Sequence, residues 1–206
     1  MWNYELKCPV VILVDVSESM KGTRTELAVN SVRALLESLK SDQFAQRIEV
    51  TIILFNNDIV VKTEFCSIAD LPSDFTINAS EIKGECCIGT ALHGVYEVLK
   101  ARYLFYNQTN IPCLSPYLFL ITRGAFTDDF TYQYHNEKLR YDCLQKIEPY
   151  NNHLNLYIVD VCGDTEPVID RDYSNDFINR IINDRFGDII IEKPYVASAS
   201  VIPGDW

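Results

Sequence analysis

Val10-Val-Ile-Leu-Val14, followed directly by Asp15-Val-Ser-Glu-Ser-Met20, is the stretch that decides the fold. Five consecutive apolar residues, mostly β-branched, have the length of a strand. A run that is apolar at every position suits a strand buried on both faces of a parallel sheet. It stops abruptly at a carboxylate and two spaced hydroxyls. Two other runs have the same build: Tyr117-Leu-Phe-Leu-Ile121, ending at Thr122, and Leu154-Asn-Leu-Tyr-Ile-Val159, ending at Asp160. A fourth, Ile48 to Phe55, leads through Asn56-Asn57 into the alternating segment Asp58 to Phe65. A two-residue Asn-Asn link suits a tight hairpin, and the alternation suits a half-solvated edge strand.

Helical patterns separate these runs. Ala28, Val32, Leu35, Leu36 and Leu39 recur at helical spacing, and Thr23-Arg-Thr-Glu26 reads as a capping box. Leu92, Val95, Tyr96 and Leu99 form a second stripe, and Leu139, Cys143, Leu144 and Ile147 a third. Phe177, Ile178, Ile181, Ile182 and Phe186 form a fourth, and a short strand over Asp188 to Ile191 closes the series. The order β-α-β-β-α-β-α-β-α-β predicts an open, doubly wound, Rossmann-like α/β sheet. It is parallel apart from one antiparallel edge strand and has helices on both faces. Ligands of such sheets bind beyond the carboxyl ends of the strands.

The 206 residues read as a single domain, 1–206, with no internal repeat or Pro/Gly linker. An apolar fraction of 48% and a charged fraction of 23% are those of a soluble globular protein. Lys+Arg 18 against Asp+Glu 29 gives a net charge of −11, which repels phosphate backbones and anionic membrane surfaces. The segment Met1 to Lys7 lacks a basic n-region and the run Val10 to Val14 is short, so neither a leader peptide nor a membrane span is predicted. The seven cysteines (Cys8, Cys66, Cys86, Cys87, Cys113, Cys143, Cys162) include no Cys-x-x-Cys pair. They read as thiols of a reducing, cytoplasmic protein, and Cys86-Cys87 is assigned no chemistry.

Three segments meet at the predicted carboxyl edge: Asp15 to Met20, Gly89-Thr90, and Thr122-Arg-Gly-Ala-Phe-Thr-Asp-Asp129. A carboxylate with hydroxyls is a hard oxygen set, able to hold partly hydrated Mg²⁺. The simpler reading is an Asx-type turn at Asp15 and Ser17 that caps a helix.

The pattern Asp15-x-Ser17-x-Ser19-Met20 after a buried first strand resembles the metal-ion-dependent adhesion site of von Willebrand factor A (VWA) domains. Ile52-Ile-Leu-Phe-Asn56, Gly89-Thr-Ala-Leu92 and Pro116-Tyr-Leu-Phe-Leu-Ile-Thr-x-Gly124 follow in the family's order. The segment Thr122-Arg-Gly-Ala-Phe-Thr-Asp128 is similar to the Thr-Asp-Gly-x-x-Thr-Asp pattern of the bacterial tellurium-resistance-associated, TerY-like group. The resemblance implies that Ser17, Ser19 and Thr90 ligate a metal through hydroxyls, with Asp15 in support through water. Position 123, however, is Arg where that pattern has Asp. Asp15 with Arg123 is neutral without a cation, and Mg²⁺ would add about two uncompensated charges in a partly buried cleft. A metal-free site is therefore expected over a Mg²⁺ site, with Asp128, Asp129 or Asp160 as substitute carboxylates for the latter.

The function expected is a non-catalytic protein-binding module. Its face combines Asp15, Ser17, Ser19, Thr90, Arg123, Phe126, Asp128 and Asp129, with Trp206 in an extended tail over about 193–206 in place of the family's last helix. The resemblance implies kinase-like or phosphatase partners in a bacterial stress-response or phage-defence system. The alternatives are a hydrolase using Ser17 or Ser19, and a structural subunit of a larger complex with a decayed site. A hydrolase needs a histidine near the serine. His93 falls with Glu97 and Lys100 on a polar helix face, while His135 and His153 fall in or before other elements.

Overall fold

Eight successive buried residues, Cys8–Asp15, form β1, the middle one of the five sheet strands among the described residues. The computed structural model describes residues 6–123 and 155–161. After β1 come α1 (Thr23–Ser41), β2 (Ile48–Phe55), β3 (Ile59–Ser67), α2 (Ile88–Thr109), β4 (Tyr117–Thr122) and β5 (Asn155–Asp160). Short 3₁₀ turns lie at Glu18–Met20, Ala45–Arg47 and Ala79–Glu81. The strands run in the order β3-β2-β1-β4-β5. Pairing is parallel for β1 with β2, β1 with β4 and β4 with β5, and antiparallel for β2 with β3. The open, mostly parallel sheet with one antiparallel edge strand is the expected architecture.

The alternation of β1 splits the core into two layers. Val10, Ile12 and Val14 join Ala28, Val32, Leu36 and Leu39 of α1 on one face. Val11 and Leu13 join Ala91, Leu92, Val95 and Leu99 of α2 on the other. Helices thus cover both faces. The charged cluster of Glu49, Arg102 and Tyr106 fastens β2 to α2: Arg102 and the Tyr106 hydroxyl both donate to Glu49 Oε2.

Two local expectations are corrected. Thr23-Arg-Thr-Glu26 makes no capping box, because the residue before α1 is Gly22 at φ +80°, which has no side chain to offer. Thr25 instead donates its hydroxyl to the Met20 carbonyl at 2.6 Å, and Arg24 donates to the Ser19 carbonyl at 3.0 Å. The β2–β3 link is three residues, 56–58, rather than two. Asn56 and Asp58 close it with two bonds of 2.9 Å: the Asn56 amide to the Asp58 carbonyl, and the Asp58 amide to Asn56 Oδ1. The expected helices over 139–147 and 177–186, the strand over 188–191 and the tail over 193–206 lie outside the described residues.

The sequence runs from β1 outward to β2 and β3, then returns to place β4 on the other side of β1. That reversal makes the carboxyl ends of β1 and β4 a topological switch point, where open α/β sheets form their ligand crevice.

Candidate functional site

Asp15, the last residue of β1, sits at this crevice. Asp15, Ser17, Thr122 and Cys86 are each only about 1% exposed. Asp15 Oδ1 accepts the Ser17 amide at 2.8 Å, so the expected Asx turn is present. Oδ2 accepts the Thr122 hydroxyl at 2.8 Å and the Cys86 thiol at 3.0 Å. Both carboxylate oxygens are thus committed to protein donors.

The tight turn after β1 brings two hydroxyls together: Ser17 Oγ and Ser19 Oγ lie 2.9 Å apart. Ser17 precedes the 3₁₀ turn at Glu18–Met20 but makes no capping bond with its side chain. The capping half of the simpler sequence reading is therefore not met, and the hydroxyl goes to Ser19 instead.

Backbone bonds knit the neighbouring loops into one frame. The Lys83 amide donates to the Val16 carbonyl, and the Glu18 amide to the Gly84 carbonyl, each at 2.9 Å. The Val16 amide donates to the Phe55 carbonyl at 2.8 Å, and the Cys87 amide to the Asn56 carbonyl at 3.3 Å. Asn57 Oδ1 accepts the Glu85 amide at 2.8 Å. The strap 83–87 is therefore tied both to the turn after β1 and to the β2–β3 link.

Of the residues singled out in sequence, the structure brings Asp15, Ser17 and Ser19 into direct hydrogen-bonded succession. Thr90 stands half-buried in the first turn of α2, and Arg123 half-buried directly after β4. Phe126, Asp128, Asp129, Trp206, His135 and His153 lie outside the described residues, and nothing is described of the Asp160 side chain. His93 stacks on Tyr96 along α2, with ring centroids 6.3 Å apart. Two contributors had no role in the sequence reading: Thr122 was placed at the carboxyl edge, in the segment Thr122–Asp129, without a role of its own, and Cys86 was assigned no chemistry. The Cys86–Asp15 bond spans 71 residues, and no spacing rule marks such a pair.

The residues can be tested against Mg²⁺. Octahedral Mg²⁺ with oxygens at about 2.0–2.1 Å requires adjacent ligands roughly 2.9 Å apart. The Ser17–Ser19 hydroxyl spacing of 2.9 Å meets this. The charge does not. Asp15 is the one carboxylate in this hydrogen-bonded cluster of described residues, and both its oxygens are already bonded. Among the described residues no three His, Cys, Asp or Glu side chains are grouped to hold a metal. The hydroxyls fit the ion in spacing, and the anions among the described residues do not fit it in charge.

A family profile described as the von Willebrand factor type A domain matches residues 10–113. No curated protein sequence matches the chain. Among solved structures, the chain is similar to an aerotolerance-related membrane protein from Bacteroides fragilis, at 14% identity and TM-score 0.49, over 93% of this chain and 92% of that one. It is similar to the SpRpn10 VWA domain at 15% identity and TM-score 0.47, over 76% of each chain. It is also similar to the pilus adhesin SpaC from Lactobacillus rhamnosus GG at 16% identity and TM-score 0.45. That match covers 60% of this chain and 16% of the adhesin, so the chain spans a small part of that relative's length. Likeness at this level speaks to neither ligand nor partner.

Proposed function

The chain belongs to the von Willebrand factor type A domain family, and we propose that it acts as a non-catalytic protein-binding module through the carboxyl edge of its sheet. One observation carries this reading. At the β1/β4 switch point a buried carboxylate is fully bonded inward, while the turn it organises holds paired hydroxyls above it. Such an arrangement is fixed in shape, and the half-buried Ser19 is the member of the pair that can offer hydrogen bonds outward, Ser17 being buried beneath it in the turn. Among the described residues the partner of Ser17 Oγ is a second hydroxyl rather than a base, which favours binding over catalysis.

We further propose that the site works without a metal, on the charge argument of Asp15 with Arg123. Phe126, Asp128, Asp129 and Trp206 would then extend the surface, together with Thr90. A TerY-like affiliation, kinase-like or phosphatase partners in a bacterial stress-response or phage-defence system, and a cytoplasmic location are proposals of the same kind. The first two rest on the similarity of Thr122-Arg-Gly-Ala-Phe-Thr-Asp128 to that group's pattern, and the last on the cysteine usage.

The test is a quantitative pull-down from the native host with wild type and the Ser17→Ala/Thr90→Ala variant. A partner retained by the wild type and lost by the variant, with the melting temperature within a few degrees, supports the reading. Equal retention of all partners overturns it. Fractionation of the same cells tests the location.

A further inference from the structure

Asp15 ends in an sp³–sp² torsion that is intrinsically broad, so its own rotamer does not fix the plane of the carboxylate. The donors around it must do so. Thr122 from β4 and Cys86 from the strap before α2 converge on the same oxygen, Oδ2, and leave Oδ1 to the Ser17 amide. Cys86 Sγ also lies 3.9 Å from Thr122 Oγ1, so the three side chains form a closed triangle. A thiol is a weak donor to neutral acceptors, and a carboxylate oxygen is the acceptor that strengthens it most. The strap cannot readily retreat, because the Lys83 and Cys87 amides on either side of Cys86 are bonded to the Val16 and Asn56 carbonyls.

We propose that Cys86 is a positioning residue of this site, whose thiol orients the Asp15 carboxylate so that it holds the Ser17 amide and keeps the Ser17–Ser19 hydroxyls paired. Its biological meaning rests on the reading of that rim as a binding face, whereas its geometry is open to direct test. Cys86→Ala removes the donor, and Cys86→Ser keeps one of similar size.

The measurement is residue-resolved amide hydrogen exchange on the full chain by NMR. In Cys86→Ala the Ser17 amide should exchange at least about tenfold faster, the scale of one lost hydrogen bond to a charged group. The Ile53 amide, in the middle of β2, should be unchanged, and Cys86→Ser should restore most of the Ser17 protection. A second reading starts from the wild type and Cys86→Ser. Their infrared difference isolates the Cys86 S–H stretch, which should be displaced to the low frequency of a hydrogen-bonded thiol and move back in Asp15→Asn. Unchanged Ser17 exchange in Cys86→Ala, or an S–H band at the frequency of an unbonded thiol, overturns the proposal and leaves the binding reading standing. Partner retention by Ser17→Ala/Thr90→Ala overturns the binding reading and leaves this one standing.

Discussion

The hydroxyl of Thr122 at the end of β4 donates to the Asp15 carboxylate at the end of β1 across 2.8 Å, although 107 residues of chain separate them. This bond crosses the switch point and closes the floor of the crevice. Thr122→Val keeps the shape and removes the donor. It should lower stability by about 1.5–3 kcal/mol, the range for a hydrogen bond to a charged group. Thr122→Ser, which keeps the hydroxyl, should cost less. Urea denaturation of both variants decides the matter, and a Thr122→Val as stable as the wild type beside a destabilised Thr122→Ser would mean that the methyl packing counts and the bond does not.

Charge rather than spacing sets the expectation for cations. Arg123→Asp supplies the carboxylate that the resembled pattern has at this position, and the Ser17 and Ser19 hydroxyls already stand 2.9 Å apart. Calorimetry should detect Mg²⁺ binding by Arg123→Asp at millimolar ion and none by the wild type. Binding by the unaltered protein at the same concentration would show that another carboxylate completes the site.

Gly84 is the tight point of the strap. Its φ is +74°, and a Cβ placed there would lie 2.1 Å from Asn57 Oδ1. Gly84→Ala therefore meets both a left-handed backbone, costing about 1–2 kcal/mol, and a clash with a side chain. Adding Asn57→Ala removes the clash and leaves the backbone cost. A double-mutant cycle on thermal stability should show partial recovery, with a coupling of at least about 0.5 kcal/mol. Purely additive losses would mean that Asn57 swings away at no cost.

A pH dependence follows from Lys62 and Glu81, whose ammonium and carboxylate meet at 2.5 Å beside β3. Burial alone would raise the Glu81 carboxyl, but the Lys62 hydrogen bond and the bonds from Asn78 outweigh it and hold it below its ordinary value of 4.5. A carboxyl lowered in the folded state contributes stability above its unfolded value and loses that contribution as pH falls through the folded one. The side chains are 28% and 25% exposed, so screening limits the pair to roughly 1 kcal/mol or less. The melting-temperature deficit of Lys62→Ala should be present at pH 7 and fade below about pH 4. A deficit equal at both pH values would assign it to lost packing of the lysine stem.

The buried strands were legible because each is apolar at nearly every position and ends in a polar residue at the sheet edge. The Ser17–Ser19 pair was legible for a local reason, since two residues of turn bring the hydroxyls into contact. The start of α1 was misread because Thr23 and Glu26 carry the letters of a cap while Gly22 occupies its place. Cys86 was invisible for the opposite reason. Its partner is fixed by the path of the strap over the sheet, and nothing near Cys86 in sequence records that path. Local chemistry can be read from neighbours along the chain, whereas a contact made by topology needs the topology first.

Because β1 feeds alternate residues to two separate layers, it is held to an exact count more strictly than to an exact composition. Exchanges among Val, Ile and Leu within Val10 to Val14 preserve which layer each side chain enters, and volume-conserving swaps of this kind usually cost under about 1.5 kcal/mol. Deleting or inserting one residue would send the α1 set toward α2 and the reverse. It would also rotate the final carboxylate off the axis where Thr122 and Cys86 await it. Families of sequence variants of this chain should therefore tolerate spelling changes in β1 and reject frame changes, with the distance in residues from Cys8 to Asp15 behaving as a fixed ruler.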